Sequence, residues 1–192
     1  KMKFSKRMDL FGESIFTTLA NMRSERKKQG LEVIDLSIGA PNIPPTQEVM
    51  ETIAKEAMKP ENYLYAIQDA VDLQNTVKEW YERRYGVVID PTTELTSLLG
   101  SQDGLAHLAL TLVDEGDTVL VQDPCYPIFR DGPLLAGAHV VTMPLLKEND
   151  YLIDFDRIDE KTAQDAKYMI VSYPNNPTCG VANDEFYKKL IV

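Results

Sequence analysis

Apolar positions follow two different rhythms along this chain. Up to about residue 90 they recur mostly at helical spacing. Phe11, Ile15 and Leu19 share one face, Arg23 to Lys28 form a charged end, and Gly30 closes it, which predicts a helix within residues 1–30. Leu31 to Ile38 alternates and predicts a short strand. Gly39 to Pro45 holds three prolines and a glycine, which support neither helix nor ladder, so this stretch is a loop. Thr46 is placed to cap the next helix, whose stripe Val49, Ile53 and Ala57 is expected to be buried. Its acids (Glu48, Glu51) come first and its lysines (Lys55, Lys59) last, as the helix dipole prefers, and Pro60 stops it. A further helix is predicted over Val71–Tyr85, with Leu73, Val77, Trp80 and Tyr81 on one face and Gly86 as its stop.

From Glu94 onward short apolar runs alternate with helical segments. Strands are expected at Leu95–Leu99, Thr118–Val121, His139–Met143 and Lys167–Ser172, with helices running to Asp114 and to about Ala136. This alternation predicts an α/β fold with a mostly parallel sheet and flanking helices. Ligands of such sheets sit at the carboxyl ends of the strands. Three loops fall there: Gly100–Gly104, Asp123–Pro127 and Pro174–Gly180.

Composition narrows the classes of partner. A hydrophobic share of 44% over 192 residues suffices for a sizeable core. The formal charge of −10 repels phosphate backbones and anionic bilayers, so neither nucleic acid nor membrane is an expected partner. No apolar run is long enough to span a bilayer, and the basic stretch Lys1–Leu10 lacks the apolar core of a secretory signal. Two cysteines, Cys125 and Cys179, make no disulfide framework and suit a reducing cytoplasm. No group of His, Cys, Asp and Glu has the spacing of a metal site.

Each loop has a chemical reading and a plainer one. At Gly100-Ser101-Gln102-Asp103-Gly104 a strand runs into a helix. Unpaired N–H groups at a helix start favour an anion, and the Ser101 hydroxyl and Gln102 amide can add donors. Asp103 is then expected to point away. The plainer reading is an N-cap formed by Ser101. In Asp123-Pro124-Cys125-Tyr126-Pro127 two prolines stiffen an aromatic that could stack on a flat heteroaromatic, or simply pack on the sheet edge. In Pro174-Asn175-Asn176-Pro177 the asparagine before proline is pushed into an extended form, its amide free for a phenolate-like oxygen; a β-turn is the alternative. Cys125 and Cys179 lie in two of these loops and could form a redox pair, although small cysteines usually only pack. His107, on the helix after the first loop, is expected to pack or to support neighbouring groups rather than to act as a base.

Taken in series these segments resemble the aminotransferase class I and II family, over nearly the whole chain. The resemblance rests on Ser37-Ile38-Gly39-Ala40-Pro41, Asn62-Tyr63-Leu64-Tyr65-Ala66, Gly100-Ser101-Gln102-Asp103-Gly104-Leu105, Glu115-Gly116-Asp117-Thr118, Asp123–Pro127 and Pro174-Asn175-Asn176-Pro177-Thr178. It implies a pyridoxal 5'-phosphate cofactor, with Ser101 and Gln102 at the phosphate, Tyr126 stacked on the pyridine ring and Asn176 bonded to its phenolic oxygen. It places the Gly39 backbone beside the substrate carboxylate. Tyr65, or alternatively Tyr63, would reach the phosphate of a partner subunit, which implies a homodimer with shared active sites. The implied activity is amino-group transfer between an amino acid and a 2-oxo acid. A carbon–sulfur lyase or decarboxylase on the same scaffold, or a non-catalytic binding or regulatory module, are the alternatives. The segment Gly100–Leu108 looks most like the branch containing diaminopimelate aminotransferases. Cys179 stands where many relatives have glycine.

By the same resemblance residues 1–45 are an N-terminal arm with part of a small domain, and residues 46–192 the first part of the cofactor-binding large domain. The Schiff-base lysine, the aspartate at the pyridine nitrogen and the carboxylate-binding arginine are expected beyond Val192, so the chain is expected to be a fragment without catalytic residues and without transaminase activity of its own. Ser5-Lys6-Arg7 faintly echoes the lysine motif but has no strand before it.

Overall fold

The computed structural model describes residues 2–191. The chain forms two compact units, one of Glu13–Ser97 and one of Lys1–Gly12 with Leu98–Val192. The 3-10 turn Lys6–Leu10 packs on a helix of the later unit.

The Glu13–Ser97 unit contains α1 (Ile15–Lys28), α2 (Gln47–Ala57) and α3 (Val71–Tyr85). Thr46 is the N-cap residue of α2, though its side chain makes no capping bond. Gly86 ends α3 in the left-handed conformation at φ 67°, where a Cβ would be strained. The stripes of α2 and α3 are not buried: Val49, Ile53 and Leu73 are exposed and Val77 is half-buried. Trp80, Tyr81 and Tyr85 instead pack on one another, with ring centroids 5.2–5.6 Å apart. Leu31–Ile38 forms no strand. A strand exists only through its ladder, and among the described residues nothing pairs with this segment.

The other unit holds the core. It contains α4 (Ser101–Leu112), β1 (Thr118–Asp123), α5 (Pro127–Ala136), β2 (His139–Pro144), α6 (Glu160–Asp165), β3 (Ala166–Met169) and α7 (Asp184–Leu190). The strands form a parallel sheet in the order β2-β1-β3. β1 lies in the middle, so its Val119, Leu120 and Val121 are buried in succession rather than alternately. Leu120 joins Met143, Leu145, Ile153 and Phe186 on one face, while Val119 and Val121 join Val113 on the other. The expected strand at Leu95–Leu99 is absent, because it too has no ladder partner among the described residues.

Helices α4 and α5 lie against each other at Gly132. A Cβ there would come 3.3 Å from the Leu105 carbonyl oxygen and 3.5 Å from Ala106 Cα. Both ends of α5 follow from sequence. Pro127 starts it, where its missing N–H costs nothing, and Gly137 ends it at φ 91°. The βαβ unit β1-α5-β2 keeps an unbroken register from Thr118↔His139 to Asp123↔Pro144.

Candidate functional site

The carboxyl ends of β1 and β3 lie side by side, and the predicted loops gather around them. The first loop starts at Gly100, with φ 90° and ψ 150°. That combination is essentially restricted to glycine. Nothing lies within 4 Å of where a Cβ would be, so conformation and not space demands glycine here. Gly100, rather than Ser101, is the N-cap residue of α4, and no side chain caps the helix. The Asp103 N–H donates to the Gly100 carbonyl at 3.2 Å. The N–H groups of Ser101 and Gln102, in the first turn, have no helical carbonyl to meet. Asp103 turns its carboxylate along the helix to His107 Nδ1, 3.0 Å away. The carboxylate is thereby directed along the helix, as expected, and His107 itself is exposed.

The second loop is tied to the first. The Tyr126 hydroxyl donates to Gln102 Oε1 at 2.8 Å, across a gap of 24 residues. Tyr126 caps α5, and its ring meets Phe129 edge-on with centroids 6.3 Å apart. The ring is therefore held by its hydroxyl, by its backbone and by one neighbouring aromatic. Beside it the Cys125 thiol is pushed up to about 11, first by burial and then by the Asp123 carboxylate.

In the third loop the two asparagines divide the work. Asn175 is buried and braces the loop from inside: its Oδ1 accepts from the Thr178 N–H at 3.1 Å and the Thr178 hydroxyl at 2.8 Å. Its N–H donates to the Gly180 carbonyl at 3.0 Å, and its carbonyl accepts from the Cys179 N–H at 2.8 Å. Asn176 is exposed at the tip. Cys179 sits at φ 60°, a left-handed position that suits glycine. Both thiols are free.

Gly39 and Tyr65 belong to the Glu13–Ser97 unit. Gly39 is exposed, with nothing within 4 Å of a built Cβ. The Ser37 N–H and hydroxyl just before it bond the Asp35 carboxylate at 3.0 and 2.6 Å, and these bonds together with Arg23 lower the Asp35 pKa to about 2. Tyr63 and Tyr65 differ sharply. The Tyr63 hydroxyl donates to the Ala57 carbonyl at 2.6 Å, whereas Tyr65 is 91% exposed.

Two polar residues escaped the reading of the sequence. Gln122 on β1 is 1% exposed, its Oε1 accepting from the Ser172 N–H at 2.7 Å and its Nε2 without a partner. The Asn175 amide nitrogen is likewise buried and unpartnered. A glutamine inside the run Thr118-Val119-Leu120-Val121-Gln122 was the available signal, since a strand buried on both faces rarely carries one. Among the described residues no group of His, Cys, Asp and Glu could hold a metal ion, and no helix is long and apolar enough to cross a membrane.

The site thus offers first-turn N–H donors over an open glycine, one fixed aromatic ring and an exposed amide. Those groups fit a flat ring that carries a phosphate. Comparison with known proteins agrees. The model of the family "aminotransferase class I and II" matches residues 32–192, and the chain belongs to that family. It is 40% identical to the LL-diaminopimelate aminotransferase of Aquifex aeolicus over 98% of this chain and 49% of that protein. Among solved structures it is similar to apo-BacF of Bacillus subtilis, with TM-score 0.87, 33% identity and coverage of 98% of this chain and 49% of that one. It is also similar to a probable N-succinyldiaminopimelate aminotransferase of Thermus thermophilus, with TM-score 0.86, 32% identity and coverage of 93% and 48%. The chain spans about half the length of the curated relatives it matches.

Proposed function

We propose that the whole protein of which these residues are part is a pyridoxal-phosphate-dependent aminotransferase, and that Leu98–Val192 supplies one wall of its cofactor site. The observation that carries this reading is the 2.8 Å bond from Tyr126 to Gln102, which joins the aromatic loop to the anion-ready helix start. The cofactor, when bound, supplies an electron-withdrawing ring that makes amino-group transfer feasible. The residues of this chain bind and orient it. The N–H groups of Ser101 and Gln102 hold the phosphate, aided by the dipole of α4. Tyr126, held by Gln102 and Phe129, would stack on the ring. The Asn176 amide donates to the phenolic oxygen and favours its charged form. By the family resemblance the Gly39 backbone would lie beside the substrate carboxylate.

The names of the relatives point to an amino donor of the diaminopimelate class, with a 2-oxo acid as acceptor. A homodimer is part of the proposal, with Tyr65 reaching the partner's phosphate; the engagement of the Tyr63 hydroxyl within its own chain favours Tyr65. Residues 1–45 are proposed as arm and part of a small domain, residues 46–192 as part of the large domain, and the cytoplasm as the compartment.

The test is made on the full-length protein. Pyridoxal phosphate is added, the mixture is reduced with borohydride and the intact mass is measured, followed by a screen of diaminopimelate and common amino acids against 2-oxo acids. One reduced adduct per chain together with amino transfer supports the reading. A protein that takes no adduct, or takes one and only decarboxylates or eliminates, contradicts it.

A further inference from the structure

We propose that Gln122 is a positioning residue that sets where Asn176 stands relative to Tyr126; this rests on the cofactor site proposed above. The Ile170 N–H donates to the Leu120 carbonyl at 2.9 Å. Two residues further, a regular parallel ladder would pair Ser172 with the main-chain carbonyl of Gln122. The Ser172 N–H instead takes the Gln122 side-chain oxygen at 2.7 Å. A side-chain acceptor reaches further than a carbonyl, so the two chains part at this level while staying tethered. From Gln122 the chain runs four residues on to Tyr126, and from Ser172 it runs four residues on to Asn176. The tether is the last hydrogen bond between those two segments among the described residues. The amide is therefore the hinge point from which the ring-stacking group and the oxygen-binding group both extend.

Two further features favour a positioning role over a purely stabilising one. Gln122 is 1% exposed and its Nε2 makes no hydrogen bond; the residue carries the cost of a buried unsatisfied donor while its oxygen serves the Ser172 N–H. On the far side of the tether, the Tyr173 hydroxyl is held by two main-chain groups and lies beside the Gln122 amide. The hydroxyl accepts from the Ile153 N–H at 2.8 Å and donates to the Tyr151 carbonyl at 3.3 Å. With Tyr173 fixed, the acceptor on Gln122 determines how far Asn176 stands from the end of β1.

The experiment uses the full-length protein with Gln122→Met, Gln122→Glu, Asn176→Ala and the double variant Gln122→Met/Asn176→Ala. The readouts are the dissociation constant for pyridoxal phosphate, the pH midpoint of the bound cofactor's visible absorption band, and the thermal midpoint of the apo-protein. Gln122→Met is expected to weaken binding roughly three- to tenfold, the worth of one hydrogen bond. It is also expected to move the band midpoint in the same direction as Asn176→Ala, a shift that the lower thermal midpoint expected from the orphaned Ser172 N–H would not by itself produce. Gln122→Glu, which keeps an acceptor oxygen, is expected to retain more of the affinity than Gln122→Met. The double variant binds no more weakly than Asn176→Ala alone. If Gln122→Met does not fold, Gln122→Asn, which withdraws the acceptor by one methylene, carries the same prediction. Wild-type affinity and an unmoved band in the Met or Asn variant overturn the proposal, as does full additivity with Asn176→Ala. An Asn176→Ala variant that itself binds and absorbs like wild type overturns the cofactor site as well, and so separates the two failures.

Discussion

Replacing Gly100 by alanine isolates one requirement of the helix start. The residue stands at φ 90° and ψ 150°, and no heavy atom lies within 4 Å of a built Cβ. Steric collision with neighbours therefore contributes nothing. The cost is the conformation itself, about 1–3 kcal/mol for a side chain held in that region. The chain can relieve it by rotating the peptide that leads into Ser101. That rotation turns the first N–H groups of α4 away from their common direction, so the affinity for pyridoxal phosphate falls as well. Gly104→Ala is the matched control. Its Cβ would meet the Leu98 side chain, but that side chain is flexible and exposed and can move away. The helix meanwhile gains up to about 1 kcal/mol of propensity. Denaturant unfolding of the full-length apo-protein and a cofactor titration measure both variants. Gly100→Ala should lose stability and affinity together, whereas Gly104→Ala should stay within about 1 kcal/mol of wild type. A Gly100→Ala variant as stable and as tight-binding as wild type would refute the reasoning.

Three further outcomes follow from the same geometry. With its pKa pushed up to about 11, Cys125 stays a neutral thiol at pH 8; its iodoacetamide labelling, followed by peptide mass spectrometry, should be slow there and rise only above about pH 10, and rapid labelling at pH 7 would contradict this. Gly132→Ala forces a methyl against the Leu105 carbonyl and the Ala106 backbone, and should cost about 1–3 kcal/mol in urea unfolding. The neighbouring asparagines should separate by readout: Asn175→Ala removes a buried brace and lowers stability by about 1–3 kcal/mol, whereas Asn176→Ala leaves the unfolding midpoint in place and weakens cofactor binding.

Much of this was legible in the residues because the signals were local. Gly86 marks a helix end that needs a left-handed residue, the apolar run Thr118–Val121 marks a strand, and α5 ends at Ala136 where the pattern puts its end. Helix α3 and the start of β2 fall where the pattern puts them. Strand existence was not legible at Leu31–Ile38 or Leu95–Leu99, since alternation describes a side-chain pattern while a strand requires a partner that lies elsewhere in sequence. Burial of the α2 stripe failed for the same reason. At the site, residue types at three loops were readable, but their mutual bonds were not. The Tyr126–Gln102 contact joins positions 24 apart, and the Gln122–Ser172 contact joins positions 50 apart. Which of Asn175 and Asn176 faces inward depends on the brace to Thr178, which composition alone does not reveal.

The central claim is that the ends of β1 and β3, with the start of α4, hold pyridoxal phosphate. Its most direct test is a crystal structure of the full-length protein grown with the cofactor. The account predicts the phosphate within hydrogen-bonding distance of the Ser101 and Gln102 N–H groups, the ring against Tyr126 and its phenolic oxygen at the Asn176 amide. A cofactor bound away from these groups, or a ring that leaves Tyr126 and Asn176 untouched, would contradict it.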